Sequence, residues 1–292
     1  MSRFRGTGVA LVTPFNTDKS VDYPSLTTLI NHCIDGGVEF LVSLGTTGES
    51  VTLNAQEKQA VIKHTKECIK GRVPLVVGMG GNNTEALITE IKAQNFEGID
   101  AILSVSPYYS KPTQAGIYGH FAAIAQACPV DIILYNVPGR TSSNMTSKTT
   151  VQLAKDFENI VAVKEASGDL EQCMEIVANK PNGFNVLSGD DLLAMPQMCV
   201  GMDGIISVIA NAYPKAFSDM VRYGLNGENE NARNLHYKLM PMIQWLFADG
   251  NPGGVKCVLH KLDICNNELR LPLVKVNDDV KAALYETADA LN

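Results

Sequence analysis

Eight short, almost uninterrupted apolar runs recur along this chain, each separated from the next by a longer amphipathic stretch. The runs are "VALVTPF" (9–15), "FLVSLG" (40–45), "VPLVVGMG" (73–80), "AILSVSP" (101–107), "DIILYNVP" (131–138), "IVAVKEAS" (160–167), "NVLSGDD" (185–191) and "GIISVIA" (204–210). Runs that are apolar throughout, rather than at every second position, are what strands covered on both faces require. The stretches between them read as helices. In 24–35, Leu26, Leu29, Ile30, Cys33 and Ile34 share one stripe, Pro24 suits a first turn and Gly36-Gly37 ends it. Asn54 with Glu57 three positions on forms a capping signature, and Gly71 follows the helix end. Further helices are expected at 83–95, 114–127, 146–156, 169–179, 191–200 and 214–224.

Eight such units predict an α/β chain folded as a (β/α)8 TIM barrel. The competing topology is a doubly wound open sheet, but its GxGxxG fingerprint after the first strand is missing. "GMGGNN" (78–83) has the wrong spacing. Beyond residue 225 the strand signal stops. Leu235, Leu239, Met242, Ile243 and Leu246 make one helical stripe, with Pro241 expected to kink it, and Val280, Ala283, Leu284 and Leu291 make another. The expected organisation is a barrel catalytic domain at 1–224 and a C-terminal helical region at 225–292.

Charge and composition remove whole classes of function. With 24 Lys+Arg against 31 Asp+Glu, net charge −7, no basic stripe is available to follow phosphates, so nucleic acid is not an expected partner. No apolar run approaches the roughly 18–20 residues of a membrane span, and "MSRFRGTGVALVTPFNTD" lacks a secretory core, so no membrane partner is expected. Seven cysteines without a CxxC pair read as free thiols of a reducing cytoplasm. Five dispersed histidines, without HxxxH or HExxH, lead us to expect no metal site, and nothing calls for a cofactor.

In barrels the chemistry collects at the carboxyl ends of the strands. Those ends carry Thr13, "GTTGES" (45–50), "SPYYSKP" (106–112), "YNVPGRT" (135–141), Lys164 and "SGDD" (188–191). A lysine at a barrel rim is desolvated, which favours the neutral amine, and a neutral amine attacks a ketone to give an imine. The bland alternative pairs Lys164 with Glu165 or Asp169, or turns it to solvent. Gly45 and Gly48 permit tight turns, so the N–H groups and hydroxyls of Thr46 and Thr47 are able to converge on a carboxylate. Read blandly, they only lead into the helix that Asn54 caps. Tyr135, one strand before the lysine, is suited to carry protons, or else is a core tyrosine. Arg140 offers a bidentate grip on a second carboxylate, or else is a solvated arginine. The two carboxylates of "SGDD", where phosphate-binding barrels place a glycine-rich turn, argue against a phosphorylated substrate. Neither a nucleophile elbow nor a glycosidase carboxylate pair is found.

"GTTGES", "SPYYSKP", "YNVPGRT" and "KEASGD", in this order, resemble the dihydrodipicolinate synthase and N-acetylneuraminate lyase family, and the likeness runs from "VTPF" through "NPGGVK" to "LRLPL". The resemblance implies a homotetramer, a dimer of dimers, of (β/α)8 barrels. It implies condensation of pyruvate with L-aspartate 4-semialdehyde on the route to diaminopimelate and lysine. Carried over, Lys164 forms the pyruvate Schiff base, and Tyr135 donates and accepts protons, linked through Thr46 to the partner subunit's Tyr109. Thr47 binds the pyruvate carboxylate, Arg140 the semialdehyde carboxylate, and the Ile206 backbone orients the keto acid. Arg140 separates this subgroup from sugar-acid aldolases, which remain the alternative within the class. A catalytically silent barrel that binds a carboxylic acid is the alternative outside it. Gly253-Gly254 replaces an apolar residue and proline common in relatives. In the effector pocket of lysine-inhibited members Ser50, Asn82 and Tyr108 fit, but Ala55, Lys58 and Ala86 (with Glu85 one position off) depart, which implies weak or absent feedback inhibition.

Overall fold

The computed structural model describes residues 3–291; Met1, Ser2 and Asn292, the outermost positions of the two expected segments, lie outside the described residues. Eight strands, β1 (Gly6–Ala10), β2 (Phe40–Ser43), β3 (Leu75–Gly78), β4 (Ala101–Val105), β5 (Asp131–Asn136), β6 (Ile160–Glu165), β7 (Asn185–Ser188) and β8 (Gly204–Ser207), pair in sequence order into a closed barrel. Every pairing is parallel, and β1 closes on β8 with Gly6 opposite Gly204 and Val9 opposite Ser207.

The helices are α1 (Tyr23–Asp35), α2 (Ala55–Ile69), α3 (Thr84–Ala93), α4 (Gln114–Ala127), the single turn α5 (Pro138–Thr141), α6 (Ser147–Asp156), α7 (Leu170–Asn179), α8 (Ala194–Cys199) and α9 (Pro214–Leu225). Their ends follow local chemistry. Asn54 Oδ1 accepts from Glu57 N while the Glu57 carboxylate accepts from Asn54 N, both at 2.9 Å, and α2 stops at left-handed Lys70 before Gly71. The helix expected from 191 starts three residues later, because Asp190 Oδ1 takes the N–H groups of Leu192 and Leu193 into a turn.

Because side chains alternate along a strand, the closed sheet makes two cores. Phe40, Val42, Val76, Leu103, Ile133, Ala162, Leu187 and Ile206 fill the barrel interior, while the opposite faces pack against the helices. Each large side chain buried this way contributes about 1.5–3 kcal/mol. The first strand lies earlier than its apolar run suggests. The glycines at 6 and 8 are poor strand formers, yet a Cβ at Gly8 would sit 2.2 Å from the Phe40 ring. Glycine there makes room for the Phe40 ring in the barrel's interior packing.

Three helices follow: α10 (Asn229–Ala248), α11 (Gly253–Lys261) and α12 (Asp278–Leu291). The first runs as one helix through Pro241, held by buried Leu239, Met242, Ile243 and Leu246. It packs on α9 and α12, and α11 packs on α12. The sequence reading has no counterpart for α11, since two glycines at a helix start look like a loop. Gly254 is there for proximity: a Cβ would lie 2.3 Å from the carbonyl oxygen of Leu246.

Candidate active site

Lys164 is the fifth residue of β6 and stands opposite Tyr135 of β5 in the strand register. Both project into the barrel; Lys164 is 6% exposed and Tyr135 7%. The Lys164 Nζ lies 4.4 Å from the centroid of the Tyr135 ring. Among the described residues no carboxylate reaches Lys164 within ion-pair distance. The two candidates for that role are engaged elsewhere. Glu165, the next residue, points to the helix side of the sheet, where it accepts from Asn136 Nδ2 (3.0 and 3.2 Å), Ser167 N (2.8 Å) and Gln172 Nε2 (2.9 Å). Burial raises its carboxyl above the usual range, against the pull of those hydrogen bonds. Asp169 caps α7 through Gln172 N. The structure thus sets aside the pairing alternatives left open for Lys164, and its burial sets aside the solvent alternative.

Space beside the lysine is enforced by Gly189, just after β7. A Cβ there would meet Ala166 Cβ at 2.5 Å and Lys164 Cε at 3.0 Å. Any other residue would push the lysine stem aside.

The turn after β2 is built differently from its sequence expectation. The left-handed residues are Leu44 (φ 59°) and Glu49 (φ 52°), not the two glycines. Gly48 is needed for closeness, since a Cβ would fall 3.1 Å from the Leu11 carbonyl oxygen. The turn is tied by Gly48 N to Gly45 O (3.0 Å), Glu49 N to Thr46 O (3.1 Å) and the Thr13 hydroxyl to Gly48 O (2.7 Å). These ties leave the N–H groups of Thr46 and Thr47 without a partner among the described residues. Two successive free N–H groups and a buried hydroxyl, that of Thr47, are chemistry suited to an anion.

A cavity of about 390 Å³ opens over this end of the barrel, lined among others by Thr46, Tyr135, Arg140, Tyr108, Lys58 and Glu90. Lys164 and Thr47 lie outside its lining; Tyr135 is the shared wall that joins it to the lysine. Arg140, on α5, is exposed and its guanidinium has no partner among the described residues. A larger cavity, about 710 Å³, lies between α1, α9 and the C-terminal helices, and its lining includes neither Lys164 nor Tyr135.

Tyr109 is not brought to the site within one chain. It is 90% exposed at φ 73°, a conformation costly for a tyrosine, and makes no hydrogen bond to Thr46 or Tyr135. Tyr108 and Ser50 face the cavity, and Asn82 Nδ2 donates to the Tyr108 carbonyl (3.3 Å). Ile206 lies in the barrel interior, level with Gly8.

Several residues shape this region in ways their sequence positions do not show. The carboxylates of "SGDD" face inward to backbone rather than toward the mouth. Buried Asp191 accepts from Val208 N (3.0 Å) and Ile209 N (2.8 Å), steadying the chain after Ile206. Burial pushes its carboxyl up to about 6. Glu49 is fully buried and bonded to Lys256, and Asn251 Nδ2 donates to the Thr47 hydroxyl at 3.0 Å. A lysine inside the apolar run of "GGVKCVLHK" is the one trace the sequence offers.

With the geometry in place, comparison with known proteins is direct. Residues 3–291 match the family described as the dihydrodipicolinate synthetase family. The chain is 52% identical over 284 residues to the 4-hydroxy-tetrahydrodipicolinate synthase of Flavobacterium psychrophilum, covering 97% of each chain. It is similar to the dihydrodipicolinate synthase of Thermotoga maritima, at 37% identity and TM-score 0.96 with 99% of each chain covered. It is also similar to the chloride-inhibited dihydrodipicolinate synthase of Acinetobacter baumannii complexed with pyruvate, at 38% identity and TM-score 0.95 with 98% of each covered.

Proposed function

The chain belongs to the dihydrodipicolinate synthetase family, and from that membership we propose how its residues divide the work. It condenses pyruvate with L-aspartate 4-semialdehyde through a lysine Schiff base, giving 4-hydroxy-tetrahydrodipicolinate for diaminopimelate and lysine biosynthesis. One observation supports Lys164 as the nucleophile: a buried amine with no carboxylate within ion-pair distance among the described residues, facing a phenol across one strand pair.

The pyruvate carboxylate rests on Thr47 and the free N–H groups of its turn, with the Ile206 backbone orienting the keto acid. The Lys164 amine adds to the ketone carbon and water leaves, with Tyr135 carrying the protons. The protonated imine draws electrons from the methyl group, which loses a proton to give an enamine. The enamine carbon attacks the aldehyde of the semialdehyde, whose carboxylate Arg140 grips. The amino group of that substrate then displaces Lys164 from the imine, closing the ring and freeing the enzyme.

Tyr109 completes the proton path through Thr46 by reaching into a neighbouring protomer of a homotetramer. Its exposure, beside exposed Val51 and Tyr108, supports a protein partner on that face. Seven unpaired thiols suit a cytoplasmic setting. Residues 1–224 form the catalytic domain and 225–292 its helical extension.

A coupled assay with aspartate semialdehyde against a panel of sugar acids tests the reading. Turnover is expected with the semialdehyde alone, and Arg140→Ala should weaken its use far more than imine formation with pyruvate. Sugar-acid cleavage at comparable rate, or equal losses in both steps, would contradict it.

A further inference from the structure

We infer that Asn251, at the threshold of α11, is a positioning residue for pyruvate: it orients the Thr47 hydroxyl toward the substrate carboxylate. The inference rests on the reading of Thr47 as a ligand of that carboxylate. A threonine hydroxyl has one hydrogen to give and lone pairs to accept with. Here the Asn251 amide donates to Thr47 Oγ1 at 3.0 Å, occupying a lone pair from the side of the C-terminal helices. The hydroxyl hydrogen is thereby directed away from Asn251. A carboxylate only accepts, so a hydroxyl that presents its hydrogen is the form that binds it.

For this to work Asn251 and the turn must be held at fixed separation, and the structure shows how. Glu49, two residues after Thr47, accepts from Lys256 Nζ at 2.5 Å and from Arg270 N at 3.1 Å. Lys256 also donates to the Glu268 carbonyl at 2.8 Å and lies 4.1 Å from the Phe15 ring centroid. Four residues lie between Asn251 and Lys256, so the amide and the ammonium grip one turn at both ends. On the far side, the absence of a side chain at Gly254 lets α11 lie against the end of α10. The C-terminal helices therefore take part in substrate binding as well as in stability.

A double-mutant cycle on the full-length enzyme decides the matter: wild type, Asn251→Ala, Thr47→Val and the pair, with KM for pyruvate, KM for the semialdehyde and kcat measured for each. Thr47→Val should raise the pyruvate KM by about 10- to 100-fold, the loss expected for a hydrogen bond to a charged ligand. Asn251→Ala should raise it about three- to tenfold in the wild-type background and leave the semialdehyde KM unchanged. In the Thr47→Val background it should change nothing. An equal effect of Asn251→Ala in both backgrounds, no effect in either, or a change confined to kcat would overturn the inference. A Thr47→Val enzyme with unaltered pyruvate KM would instead remove Thr47 from the carboxylate site. Melting temperatures of all four proteins show whether any loss is one of folding.

Discussion

Lys164 and Lys256 are both carried into the interior of this molecule, one on a barrel strand and the other on the first helix beyond residue 252 with a buried face. Lys256 is 0% exposed and fully provided for: the Glu49 carboxylate, the Glu268 carbonyl and the face of Phe15 surround its ammonium. Burial lowers its pKa and Glu49 pulls it back. Lys164 is 6% exposed, and its Nζ faces the Tyr135 ring with no ion-pair partner among the described residues. Pairing turns a buried lysine into a structural bolt; an unpaired one is costly to keep and available for chemistry. The contrast fits the proposed division of roles, Lys164 for chemistry and Lys256 for structure.

The sharpest way to break the comparison is to remove each amine in turn. Lys164→Met should lower kcat by about a thousandfold or more, as loss of a covalent nucleophile does. Its stability in urea should be unchanged or raised, since no partner is orphaned. A large loss of stability would show that Lys164 is paired after all. Lys256→Met should cost about 3–5 kcal/mol in the same measurement, because the buried Glu49 carboxyl loses its ion-pair partner. Adding Glu49→Gln should recover part of that loss. Equal stabilities of Lys256→Met and wild type would dissolve the distinction.

A smaller effect sharpens the paired side. Arg270 binds Glu57 through both terminal guanidinium nitrogens (2.6 and 2.8 Å) and the Thr52 carbonyl (2.9 Å), fastening the C-terminal segment to α2. The hydrogen bonds from Arg270 hold the Glu57 carboxyl down at about 2, below its ordinary 4.5. The unfolded chain therefore takes up this proton first on acidification. The contribution is present above 4.5 and is lost as pH falls from there toward 2. Urea midpoints between pH 5 and pH 3 should fall more steeply for wild type than for Glu57→Gln; parallel slopes would mean the pair contributes nothing.

What could be read from the sequence follows the same division. Strand ends and the residues on them were legible, because parallel buried strands leave continuous apolar runs, and Lys164, Tyr135 and Arg140 interrupt or follow such runs. Chemistry that depends on one chain segment meeting a distant one was not. Glu49 and Lys256 stand 207 residues apart, and Asn251 is 204 from Thr47. Neither spacing has a local signature. Glycines misled where they serve close approach rather than turns. Gly8 hid the start of β1 beneath Phe40, Gly253-Gly254 hid α11, and around "GTTGES" the left-handed positions went to Leu44, just before it, and Glu49.

Borohydride reduction in the presence of pyruvate, followed by peptide mapping, puts the two lysines in direct competition. The account predicts a reduced pyruvate adduct on the peptide carrying Lys164 and none on the peptide carrying Lys256. An unlabelled Lys164, or label appearing at another lysine, would contradict it.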